Sequence, residues 1–399
     1  VLSRDRSEFG VSATLGDGTV LEAALMIGAW AGRARLSWVV LFCAAWSTIV
    51  YAPIAHWVWG GGWLASEFGT LDFAGGLVVH TSAGVSALVA TIIMGNRNGF
   101  PEAPMPPHAP ILSMAGAALL WVGWFGFSGG SALAATDDAS TAIINTHVAA
   151  ATAALVWLLI ERIGNGKTTS LGWASGALAG LVAITPAALY ISPGASILFG
   201  ALASVVCFGA LLQIRKWGID DAAGVFAING VGGMLGTLLL GLFVSYSLGG
   251  TGYPAGMTPA AQLGAQAIGV AAVAVWSAVM TGILALVIGI LIPMRVKRKR
   301  EIEGLEAFHT ADHVYKEGGI YAQTDIGGEL RGQDLTTGAT HPVVVRHPHT
   351  GRKLLYVNPS FTVTIVGRSR ADSLPLLEKL FAEARNPQHH ARVVWEPGT

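Results

Sequence analysis

The chain is 399 residues long, with 52% hydrophobic and only 12% charged side chains and a mean hydropathy of +0.56. Soluble domains carry roughly 25% charged residues, so this composition excludes a simple soluble enzyme, a disordered chain and a nucleic-acid binder with a basic face. The 24 Lys and Arg balance 24 Asp and Glu, which gives no electrostatic reason to expect an acidic partner.

In chain order, the first twenty residues are polar and hold no apolar run of the signal-peptide kind. Because the chain opens on Val1 and closes in ARVVWEPGT, at what reads as the end of a strand, both ends are expected to be cut from a longer gene. LEAALMIGAWAG, from Leu21, reads as the tail of a ninth span. Eight apolar stretches follow, at about 36–55, 73–94, 111–132, 143–160, 171–191, 195–214, 225–246 and 265–294. Each is long enough to cross the hydrocarbon of a bilayer, about 30 Å thick. Arg33, Arg35, Arg97, Arg162, Lys167, Arg215, Lys216 and Arg295–Arg300 all fall in alternate loops, whereas residues 56–72, 133–142, 192–194 and 247–264 contain no Lys or Arg. Cations are retained on the cytoplasmic side, so both ends of this region are expected there. The 52 glycines suit close helix packing in a membrane. Cys43 and Cys207 sit in apolar runs and predict neither a disulfide nor a thiol metal site.

Charge changes abruptly near Met294: residues 36–294 hold 13 charged side chains and residues 295–399 hold 27. The expected division is an N-terminal segment over 1–20, a polytopic all-α membrane bundle over 21–296 and a small α/β part over 297–399. After the basic run RVKRKRE, which reads as a stop-transfer and phosphate anchor, HPVVVRHPHTGRKLLYVN predicts strand, tight turn at Thr350–Gly351, and strand. Ser373 to Asn386 is an amphipathic helix, with Leu376, Leu377, Leu380, Phe381 and Ala384 at helical spacing.

Polar residues at membrane depth are costly and are functional candidates. Asp72, at the outer end of the second span, suits an N-cap, and a carboxylate at a pore mouth also favours an arriving cation. His80 lies eight residues further, about 12 Å deeper; it fits a neutral core histidine and equally a proton-handling group. Asn229 is the strongly polar residue of the seventh span and a partner for it. WVWGGGW (57–63) and WVGWFGFSGGS (121–131) place Trp59, Trp124, Phe127 and Ser131 on the outer side. Such tryptophans anchor at the interface or present aromatic faces to a small cation.

These segments resemble the ammonium transporter family (Amt, with Mep and Rh relatives). The matching stretches are GAWAGRARLS (28–37), IAHWVWGGGWLAS (54–66), LDFAGGLVVHTSAG (71–84), LLWVGWFGFSGGSALAA (119–135), GWASGALAGLVAITPAALYI (172–191) and VFAINGVGGMLGTLLLGLF (225–243). The resemblance implies ammonium transport through one pore per subunit of a homotrimer, in a bundle of two inverted halves and a long last helix. On that pattern the chain begins near the end of the third helix, as a truncated channel or transporter. It implies that Trp59 overhangs the outer vestibule, Ser131 hydrogen-bonds the ammonium ion, Asp72 supports that site, Phe127 gates, Trp124 lines the route and His80 is the first of two pore histidines. Asn229 stands where the second belongs, and it cannot titrate; Gly224 and Gly32 replace a usual aspartate and glutamate. The expected setting is the inner membrane in contact with lipid, with a cytoplasmic C-terminus. No cofactor, metal, nucleic acid or enzymatic activity is expected.

From about residue 301 the chain departs from the tail on which a PII-type regulator would act. It resembles instead the TauD/TfdA family of iron- and 2-oxoglutarate-dependent dioxygenases, through THPVVVRHPHTGRKLLYVNPSFTVTIVG, LLEKLF and VVWEPG. That family needs a His-x-Asp/Glu pair and a later His. The sequence contains no such pair, and His341, His347, His349, His389 and His390 do not match the ligand positions. The rival readings are an ammonium sensor, a membrane-tethered dioxygenase fragment, and a fusion without function.

Overall fold

The computed structural model describes residues 24–97, 100–101, 110–296, 306–309, 338–346 and 353–386. Contacts divide the chain into two units. The first comprises residues 24–96 and 110–295; the second includes the described residues from 306 onward.

The first unit is all helical, because long runs of apolar residues satisfy their backbone groups internally. After a helical stretch at 24–30, α1 (Leu36–Trp46) continues through a π-helical turn, Ser47–Tyr51, into α2 (Ala52–Trp59). A second π-helical segment, Gly76–Thr81, leads into α3 (Ser82–Met94). Then come α4 (Pro110–Gly130), α5 (Asp137–Asn165), α6 (Ser170–Ile184) and α7 (Pro193–Lys216). A third π-helical segment, Phe226–Gly230, opens α8 (Val231–Phe243), and α9 (Pro259–Leu291) is the longest helix. Polar residues set the starts: Thr169, Ser192 and Thr258 accept the amides of Gly172, Ala195 and Ala261, with Pro193 and Pro259 beginning their helices.

Among the described residues, seven helical stretches are long and apolar enough to cross a membrane. The stretch expected over 171–191 is helical only to Ile184 and continues as turns. Pro186 lacks an amide and crowds the preceding turn, which stops the helix. The fourth span is longer than its apolar core predicts, since Asp137 and Asp138 suit the positive end of α5. α5 packs on α6 and α7, α8 on α9, and α9 on α3.

In the second unit, β1 (Glu306–His309), β2 (Ala339–Pro342), β3 (Val344–Arg346), β4 (Lys353–Leu355) and β5 (Thr362–Ile365) precede α10 (Arg370–Ala384). β1 is central in an antiparallel sheet ordered β2-β1-β5, and β3 pairs with β4. The strand expected in HPVVVRH therefore splits between two sheets at Val343. Leu376, Leu377, Leu380 and Phe381 of α10 form the core with Ala307, Val343 and Ile365. The helix starts three residues before the expected Ser373, because Ser369 caps it by accepting the Asp372 amide at 3.1 Å. The Thr350–Gly351 turn, VVWEPG, His347, His349, His389, His390, residues 1–20 and the basic run beyond Val296 lie outside the described residues.

Candidate functional site

The Asp72 carboxylate accepts three amides: Gly75 at 3.0 Å, Leu77 at 2.9 Å and Val78 at 2.8 Å. It thus satisfies the free N–H groups at the start of the Gly76–Thr81 segment. Gly75 turns the chain back under the carboxylate with φ +105°, a backbone conformation that side chains resist. Trp59 donates its indole N–H to the Asp72 carbonyl at 2.8 Å. Gln266 of α9 accepts from the Leu71 amide and donates to the Leu71 carbonyl, each at 2.8 Å.

Eight residues on, His80 is fully buried. Its ring stacks on Trp124, with centroids 5.1 Å apart and planes 16° from parallel, and tilts against Phe127 at 6.1 Å. Trp124 is fixed by donating to Thr185 Oγ1 at 2.9 Å, and that hydroxyl donates to the Leu181 carbonyl at 2.7 Å. Asn229 is the polar side chain that faces His80. Even so, both His80 nitrogens and Asn229 Oδ1 are buried without a hydrogen-bond partner. Three unsatisfied polar atoms in an apolar setting are costly, and they can receive a small hydrogen-bonding molecule.

Glycines bring the two π-to-α helices this close. A β-carbon on Gly84 would strike the Gly230 backbone, and one on Gly233 would come within 2.9 Å of Thr81 Oγ1. Ser131 closes the end of α4 by donating to the Phe127 carbonyl at 2.9 Å. Trp124, Phe127 and Ser131 therefore share one helix end, while Trp59 and Asp72 meet on the other side of the chain order.

Sequence reasoning missed Asp221. Its carboxylate accepts from Val225 at 2.9 Å and Phe226 at 2.8 Å, eight residues before Asn229. Gly224, with φ +67°, repeats the turn at Gly75. The signal was present: DFAGGLVVHTSAG and DAAGVFAINGVGG share Asp, Gly, His or Asn, and Gly at equal spacing. Burial raises the Asp221 carboxyl above the ordinary carboxylate range, partly offset by those amides and by Arg33. Arg33 itself lies in the turn before α1. It is fully buried, donating to the Asp220 carbonyl at 2.8 Å and lying 3.6 Å from the Asp220 carboxylate.

The model of the Ammonium Transporter Family matches residues 13–315, well over half of the chain. The chain belongs to the ammonium transporter family. As a family member it is 43% identical over 290 residues to the ammonium transporter of Aquifex aeolicus, covering 72% of this chain and 67% of that one. It is 41% identical over 300 residues to that of Bacillus subtilis, covering 75% and 74%. Among solved structures, the "Sensor Amt Protein" superposes with a TM-score of 0.67 at 31% identity, over 71% of this chain and 72% of that one. Saccharomyces cerevisiae Mep2 gives a TM-score of 0.63 at 37% identity, over 70% and 67%. With seven apolar spans among the described residues, this ammonium transporter family member is a multi-pass membrane protein.

The model of the taurine catabolism dioxygenase TauD, TfdA family matches residues 293–399. Among the described residues no group of three or more His, Cys, Asp and Glu could hold a metal ion.

Proposed function

We propose that the membrane unit transports ammonium, with Asp72, Trp59 and Ser131 forming the outer mouth and Phe127, Trp124, His80 and Asn229 lining the passage. One observation carries this reading: His80 lies fully buried against Trp124 and Phe127, facing Asn229. A bare ammonium ion is too costly to carry through an apolar constriction. Aromatic faces and a carboxylate at the mouth attract the cation, which gives its proton to water there. The uncharged molecule then meets hydrogen-bonding groups only at His80 and Asn229. Asn229 exchanges hydrogen bonds but not charge, so any proton handling inside falls to His80.

The alternation of Lys and Arg supports an inner-membrane setting with the C-terminal unit in the cytoplasm. Exposed apolar residues on α4, including Ile111, Leu112, Leu119 and Val122, suit lipid and the neighbouring subunits of a homotrimer. The C-terminal unit is read as a dioxygenase-derived fragment without that enzyme's activity.

The test is methylammonium uptake and growth on limiting ammonium in a host lacking its own transporters. His80→Ala should lower uptake on the order of tenfold or more. Full uptake by that variant, or none by the wild-type chain seated in the membrane, overturns the reading. The likeness to the "Sensor Amt Protein" favours one second reading, an ammonium sensor, for which ammonium would quench tryptophan fluorescence without any flux.

A further inference from the structure

Three rings of the second unit converge. His309 closes β1, His341 lies on β2 and Tyr356 follows β4. Their centroids form a near-equilateral triangle: 5.6 Å between the histidines, and 5.4 and 5.3 Å from each to Tyr356. Strand register places the histidines together, since Ala307 pairs with His341 and His309 with Ala339, so the two rings are diagonal neighbours on one face. Tyr356 is pinned by its amide, which donates to the Val343 carbonyl at 2.7 Å.

His309 is also oriented from behind. Its Nδ1 lies 3.1 Å from Thr362 Oγ1, a hydroxyl that already accepts the Asn358 amide at 2.8 Å. The other ring nitrogen, Nε2, is buried without a partner. An imidazole with one nitrogen held by an oxygen and the other left open is the arrangement that metal-binding histidines use.

We propose that His309, His341 and Tyr356 bind a divalent first-row transition ion of the kind that favours imidazole, such as copper or zinc. A metal about 2.1 Å from each nitrogen would put the two ring centroids roughly 5 to 6 Å apart, the spacing seen here. The phenol supplies the third donor, and at 47% exposure Tyr356 leaves a route to solvent. The donor set differs from the dioxygenase iron site, which requires a carboxylate.

The full chain in nanodiscs, titrated with Cu2+ alone, should bind one tight equivalent whose electron paramagnetic resonance shows two nitrogen ligands. His341→Gln should weaken that binding about 10- to 100-fold, and Tyr356→Phe should change the spectrum while keeping both nitrogens. In the wild-type chain, Cu2+ should protect His309 and His341 from diethyl pyrocarbonate, read by peptide mass spectrometry. Unaltered affinity in a His309→Gln/His341→Gln double variant overturns the site, because the ion then sits on other histidines. Should that variant misfold, absence of protection at both positions in the wild-type chain overturns it equally.

Discussion

Asp72 caps a helix start whose amides have no other acceptor, and its own carbonyl is tied to Trp59. Asp72→Ala should cost about 1–2 kcal/mol of stability and lower uptake sharply. Asp72→Asn keeps an acceptor and should recover stability more than uptake; equal recovery of both in melting and uptake assays would reduce Asp72 to a cap. Asn229→His places a second titratable ring against His80, and should raise ammonium-evoked current relative to flux in proteoliposomes. An unchanged ratio would mean the two positions do not act together. His309 titrates the other way from a charged partner: its pKa is lowered in the fold, so the unfolded chain takes up a proton first as pH falls through about 6.5. Stability of the metal-free second unit should accordingly decline from pH 7.5 to 5.5, and His309→Gln should flatten that slope in thermal melts.

Between elements, close approach governs. Gly84→Val forces a branched side chain into the Gly230 backbone. It should destabilise the protein by at least about 1–3 kcal/mol and abolish uptake, whereas the same change at Gly116, which has open space around it, should do neither. Arg33→Ala removes the buried guanidinium that faces Asp220 and its carbonyl, and should lower the melting temperature. Much of the element map is legible in the sequence, because apolar runs bounded by Thr-Pro and Ser-Pro are strong signals for spans and their starts. Asp72, His80 and Asn229 stand out for the same reason: polar residues are rare in such runs. What escapes is whatever does not follow a helical period. Pro186 ends α6 within an apolar stretch, and nothing in the sequence pairs Arg33 with Asp220, 187 residues away. Asp221 is masked by Asp220 beside it.

For the molecule as a whole, the sharp rise in charge near Met294 and the contact division at Arg295 coincide to within a residue or two. The membrane bundle and the strand-containing part have separate cores, with Val273, Leu284 and Ile288 in one and Ile365, Leu377 and Phe381 in the other. The three π-helical segments, Ser47–Tyr51, Gly76–Thr81 and Phe226–Gly230, each close their backbone hydrogen bonds one residue further along than an α-helix does. Removing one residue from the middle segment would restore the ordinary winding and swing everything on one side of it by about 100°. A loss of three nucleotides there would keep the reading frame, the composition and the number of spans, yet turn the imidazole away from Trp124.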